Sequence, residues 1–188
     1  MSRRWASFIL GLAVALLLGW GVWSWLGDRI QRWRSGAVAG PEAVPGEPVR
    51  FQLYFPTDNG MVKAEARDLK VTEDPRDRVR KVVLALLEGP KDQGLVAPFP
   101  EGVAAGTVAV SREGVAYVDL RWEGHADPPP SGSTEEAQRI FSVVNSVGMN
   151  IPEATRVVLL WNGFQRESFG GHFDTTRPLS PDRSIVAP

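Results

Sequence analysis

The chain has 188 residues, 43% of them hydrophobic and 23% charged, with no cysteine and a formal net charge of −1. That length accommodates one globular domain with something appended, and the lack of cysteine excludes disulfides and thiolate metal sites. Residues 1–40 contain five Arg and one Asp, so the remainder carries 16 basic against 21 acidic residues, a net charge of about −5 that argues against a nucleic-acid partner.

From Trp5 to Leu26 the chain reads WASFILGLAVALLLGWGVWSWL, without a charge. As a helix this run would reach ~33 Å, enough to cross a hydrocarbon layer of about 30 Å. Trp5 at one end and Trp20, Trp23 and Trp25 at the other suit the two interfacial belts. A helix apolar on every face needs lipid or a large protein around it, so residues 1–34 are expected to form one N-terminal transmembrane helix with its flanks. A cleaved signal peptide is the rival reading. Ala37-Val38-Ala39 has the form of a cleavage site, but it lies beyond Arg29, Arg32 and Arg34, which favours an uncleaved anchor. Arg3 and Arg4 on one flank balance those three arginines on the other, so charge alone does not orient the segment. Residues 35–48, SGAVAGPEAVPGEP, are small and Pro/Gly-rich and are expected to be a flexible tether.

The folded domain is expected over residues 49–188. Val49, Phe51, Leu53 and Phe55 alternate with Arg50, Gln52 and Tyr54, the period of a strand with one face on a core. Pro56 to Gly60 predicts a turn, with Asn59-Gly60 able to take positive φ, and Met61 to Val71 predicts the returning strand. Asp74 as N-cap and Pro75 at the first helical position open a helix whose Val79, Val82, Val83, Leu86 and Leu87 share a face, and Gly89-Pro90 ends it. Arg76, Arg78, Arg80 and Lys81 on that helix are interleaved with Asp74, Asp77 and Glu88, the pattern of a solvated face.

Gly106 to Ser111 and Val115 to Trp122 predict a hairpin about Arg112-Glu113-Gly114, burying Val108, Val110, Val118 and Leu120. After the polar loop GHADPPPSGS, Ser133 and Glu136 have the spacing of a capping box. The helix behind them places Ala137, Ile140, Phe141, Val144 and Val147 at helical spacing. Val157 to Trp161 is a continuous branched run, which predicts a central strand buried on both faces. The tail from Phe164 is polar and Gly/Pro-rich, with Arg177 to Pro181 expected to lie back along the sheet. Strand, strand, helix, strand, strand, helix, strand (ββαββαβ) implies an α+β two-layer sandwich of one mixed β-sheet with two helices.

The stretch LLEGPKDQGLVAPFPEG (Leu86 to Gly102), then Thr107 to Ser111, then VAYVDL (Val115 to Leu120), resembles the GerMN domain family of sporulation, germination and other bacterial envelope proteins. The opening strand Val49 to Gly60 and the closing strand Val157 to Gly163 sit where that family has them, so the resemblance covers residues 49–186. It implies a non-enzymatic module that mediates protein–protein interaction or scaffolding in cell-envelope assembly. It also implies an extracytoplasmic C-terminal domain on a single-pass protein of the bacterial cytoplasmic membrane. Similarity to ring-building modules makes homo-oligomerisation a secondary expectation.

The residues themselves offer little catalytic chemistry, which needs a nucleophile with a base, paired carboxylates in a cleft, or a ligand cluster. His125 with Asp127, and His172 with Asp174, provide two ligands each where a metal usually needs three or more. Asp119 could pair with Glu123 as a carboxylate dyad of a peptidoglycan-acting hydrolase, although its position in the strand reads as an exposed acid. Gly170-Gly171 is too short to cradle phosphate. No catalytic, cofactor-binding or metal residue is therefore assigned, and no cofactor is expected. The expected interaction surface comprises Tyr54, Asp58, Asn59, Trp161, Asn162 and Phe164, facing envelope proteins or peptidoglycan.

Overall fold

The structure, a computed structural model, describes residues 48–188. The expected anchor and all but the last residue of the expected tether lie outside the described residues. Among the described residues no helix is long and apolar enough to cross a membrane.

Strand β1 (Pro48–Pro56) and strand β2 (Val62–Lys70) form an antiparallel hairpin with Leu53 opposite Glu65 and Phe55 opposite Lys63. Helix α1 (Pro75–Leu87) starts as its sequence requires, with Pro75 in the first turn and the Asp74 carboxylate accepting from Arg76 N. It buries Val79, Val82, Val83, Ala85 and Leu86, and Gly89 follows its end at φ 84°. Strands β3 (Val103–Val110) and β4 (Val115–Trp122) form the second hairpin. Helix α2 (Ser133–Gly148) then crosses to strand β5 (Arg156–Trp161), which lies parallel to β4 with Val118 opposite Leu159. A two-residue strand β6 (Phe164–Gln165) turns back antiparallel on β5.

The expected single sheet is instead two, a β1-β2 pair and a four-stranded mixed sheet ordered β3-β4-β5-β6. The physical reason lies at the outer edge of β1, where helix side chains take the place of another strand. Asn150, just past the end of α2, accepts from Gln52 N (2.9 Å) and donates to Gln52 O (2.8 Å), while Ser146 Oγ in the last turns of α2 accepts from Tyr54 N at 2.8 Å. Edge groups satisfied by side chains have no need of a neighbouring strand. Both helices touch both sheets, and the core between them includes Leu53, Phe55, Leu86, Ile140, Leu159 and Trp161.

Two further departures are local. Strand β3 begins at Val103 rather than Gly106, and its register shifts between Ala105 and Val108, leaving Val108 and Val110 only half-buried. Its irregularity accommodates Gly106, where a Cβ would lie 2.2 Å from Asp119 Oδ2. Phe164-Gln165, expected as tail, pairs as β6. The tail does fold back where expected, Leu179 exchanging two 2.8 Å backbone bonds with Val157 on the edge of β5.

Candidate interaction surface

The first two turns of α2 organise the loops of this domain. Glu136 does not form the expected capping box, since the helix begins behind Gly132 with no side-chain cap. Fully buried, its carboxylate instead receives the segment Ser168–His172. Oε1 accepts from Ser168 Oγ (2.5 Å), Phe169 N (3.0 Å) and Gly170 N (2.7 Å), and Oε2 accepts from His172 N (2.8 Å) with His172 Nδ1 at 3.1 Å. Burial pushes this carboxyl up, but the donors from Ser168, His172 and Phe173 outweigh it and hold the group below the usual carboxylate range. Gly170 allows the close approach, because a Cβ there would stand 2.4 Å from Ser131 Oγ and 3.0 Å from Glu136 Oε2.

Neighbouring side chains of α2 hold other segments in the same way. Gln138 Nε2 donates to the Thr57 and Met61 carbonyls at 2.7 and 2.8 Å, closing the β1–β2 turn. Arg139, 3% exposed, donates to Pro98 O (3.1 Å) and Pro129 O (2.8 Å) and pairs with Glu135 at 3.0 Å. From β2, the buried Glu65 accepts from Lys91 N and Asp92 N at 2.7 and 2.8 Å and pairs with Arg67, which donates to Gly89 O at 2.8 Å. Burial raises the Glu65 carboxyl, and those donors bring it below its usual range. Four chain segments thus converge on one end of the fold, each fixed by a buried polar side chain.

The β5–β6 turn stands beside them. Asn162 (φ 52°) and Gly163 (φ 83°) have the positive dihedrals of a primed two-residue hairpin turn. Asn162 Nδ2 donates to His125 O (2.8 Å), its Oδ1 accepts from Trp122 N (3.3 Å), and Gly163 N donates to Asp119 Oδ1 (2.7 Å). Asp119 is therefore no exposed acid. It is 1% exposed, covered by Gly106 and the turn, and its other oxygen accepts from Arg121 Nε at 2.7 Å. Glu123 is exposed and outside this network, so the two carboxylates do not form a dyad.

The two histidine pairs also separate. His125 stacks on Trp122 with ring centroids 3.5 Å apart while Asp127 pairs with Arg166, and His172 turns to Glu136 while Asp174 holds Thr176 and Arg177. Among the described residues no group of three or more His, Cys, Asp or Glu side chains could hold a metal ion.

Of the expected surface residues, Asp58 and Asn59 share a cleft of about 620 Å³ with Lys63, Asp92 and Gln93. Tyr54 is half-buried on β1. Trp161 cannot serve as a surface anchor, being fully buried edge-on against Phe169, with its indole N–H directed at His125 O (3.4 Å). Asn162 is a structural turn residue, and Phe164 is 69% exposed. The anchoring roles of Glu65, Glu136, Gln138 and Arg139 are absent from the sequence reading. The one available signal was Ser168 to Gly171, whose small residues let successive amides turn toward one acceptor.

The model of the family described as sporulation and spore germination, Germane, matches residues 52–167. No curated protein matches the chain. Among solved structures, the tandem GerMN domains of the sporulation protein GerM from Bacillus subtilis are similar at a TM-score of 0.57 and 20% identity, over 71% of this chain and 46% of that one. The chain thus spans about half of that tandem protein. The first GerMN domain of GerM alone gives 0.55 and 18%, over 72% of this chain and 98% of the other. A predicted lipoprotein from Clostridium perfringens gives 0.51 and 19%, over 73% and 93%. These likenesses show a shared mixed α+β fold. With more than half of the chain matched by the family model, this protein belongs to the Germane family, that of sporulation and spore germination.

Proposed function

We propose that this chain is a non-enzymatic protein of the bacterial cytoplasmic membrane, held by Trp5–Leu26, whose extracytoplasmic domain binds or scaffolds other proteins of the cell envelope. The observation that carries the reading is the loop-bearing end of the fold. Segments 57–61, 89–98, 129–131 and 168–172 are fixed from beneath by buried side chains of β2 and α2. Loops ordered in this way present their exposed residues in one arrangement, which reduces the entropy lost when a partner binds. Family membership supports a role in sporulation- and germination-type assembly, and the GerM likeness supports use of the fold as a repeated module.

Protease treatment of sealed spheroplasts, probed with an antibody to residues 49–186, tests the reading. Digestion without lysis is expected. Protection until lysis would put the domain in the cytoplasm and overturn it, and co-sedimentation of the domain with purified peptidoglycan would replace a protein partner with the wall itself.

A further inference from the structure

We propose that Phe164 is the anchor of a docking surface for a basic protein partner, one that offers an apolar pocket bordered by Lys or Arg; this inference rests on the envelope-binding reading above. Phe164 is 69% exposed, more than any other large apolar residue among those described. A single exposed aromatic is ordinary in itself. What sets this one apart is how firmly it is displayed. Its turn is tied by Gly163 N to the buried Asp119 and by both ends of the Asn162 amide to Trp122 N and His125 O. Two residues on, Arg166 donates to Ala126 O at 2.6 Å and pairs with Asp127 at 3.3 Å. An aromatic ring on a prefixed backbone has little freedom left to lose on binding, which is the economy of an interface anchor.

The sheet does not use this ring. Phe164 lies opposite Trp161 in the β5–β6 register, yet Trp161 is fully buried while Phe164, the first residue of the two-residue strand β6, faces solvent. The Trp122–His125 stack, tethered by the same Asn162, adds a second aromatic surface nearby.

Charge identifies the partner. Of the cations in this region, Arg121 pairs with Asp119 and Arg166 with Asp127, while Arg80 donates to the Gly106 carbonyl at 3.1 Å. Glu123 follows Trp122, Glu167 follows Arg166, and Glu101 precedes Gly102, where a Cβ would stand 3.1 Å from Trp122 Nε1. All three are exposed, and none forms an ion pair among the described residues. The rim is therefore net negative, and a basic partner surface complements it.

The test places the photo-crosslinking phenylalanine analogue p-benzoylphenylalanine at position 164 of the full-length chain in its host, with position 117 on the exposed sheet face as control. The expected result is a protein adduct specific to position 164, whose mapped peptide carries Lys or Arg beside apolar residues. Glu123→Lys with Glu167→Lys should cut its yield roughly tenfold, in line with rim charges acting on association. Absence of an adduct, an adduct to lipid, wall glycan or a second copy of this chain, or a yield indifferent to the charge reversal would overturn the proposal. Because the ring is exposed, Phe164→Ala should retain the parent melting temperature, so loss of partner by that variant is not loss of fold. An exported domain without the adduct would sink this surface alone, whereas a cytoplasmic domain would sink the envelope reading with it.

Discussion

Glu136 is the residue whose environment departs furthest from its type. A carboxylate with no exposed surface survives in a protein only if its lone pairs are filled, and here four donors from a five-residue segment fill them, with the His172 ring beside the second oxygen. Glu136→Gln keeps the shape but removes the charge and turns one acceptor into a donor facing N–H groups. It should cost about 2–3 kcal/mol in urea unfolding, the range for charge-assisted bonds and stranded buried donors. The pH dependence has a definite sign. The folded pKa lies below the ordinary 4.5, so the stabilisation is complete above that value and is lost as pH falls through the folded value. Arg139, Glu135 and His172 are the charged or titratable neighbours of this group. On the acid side of 4.5 the wild-type stability should therefore fall more steeply than that of Glu136→Gln, and equal slopes would show that this carboxylate is not ionised in the fold. Gly106 makes a separate steric case: Gly106→Ala puts a methyl 2.2 Å from Asp119 Oδ2 and 2.6 Å from Arg121 Nε, so β3 or the ion pair must move. A loss of about 1–3 kcal/mol is expected, and an unchanged melting temperature would mean that the bulge yields freely.

At the scale of elements, periodicity was informative wherever one face of an element meets the core. Helix α1 announced its start through Asp74-Pro75, its end through Gly89 and its buried face through Val79, Val82, Val83 and Leu86. The branched run of β5 correctly marked a strand covered on both faces. Helix α2 was legible in its apolar positions and illegible in its polar ones. Glu136 has the spacing of a capping box and Gln138 and Arg139 lie outside the apolar pattern, and only the loops that fold over them make all three interior. The division into two sheets was hidden for a related reason, because a strand sequence does not record what pairs with its outer edge. That edge gives a prediction of its own. Asn150→Ala removes the acceptor for Gln52 N and the donor to Gln52 O, at an expected cost of about 1–2 kcal/mol. Amide exchange at Gln52 should accelerate far more than at residues of β4, and uniform acceleration across both sheets would indicate global destabilisation instead.

The whole domain is stabilised from two directions, by an apolar core between helices and sheets and by a polar layer at one end that ties the loops together. Of that layer, sequence reading found the turn at Asn59-Gly60, since Gly in such a dipeptide is local chemistry; it could not find the partners, which are distant in sequence. Glu136 and Arg139 lie one helical turn apart and grip different loops, one the Ser168–His172 segment and the other the carbonyls of Pro98 and Pro129. Ser131 links the two grips, since Arg139 Nη1 donates to its hydroxyl at 3.3 Å while Gly170 packs close beside it. If these loops form one cooperative unit, loosening one should weaken the other. A double-mutant cycle with Glu136→Gln and Arg139→Met, read by urea unfolding, should then show a coupling of about 0.5–2 kcal/mol. Additive losses would mean that the loops are held independently, and the surface they present would lose its claim to be a single preformed platform. The distinction bears on function because a platform that opens as a unit offers a partner either the whole surface or none of it, whereas independent loops would present a range of partial surfaces and dilute the binding-competent one.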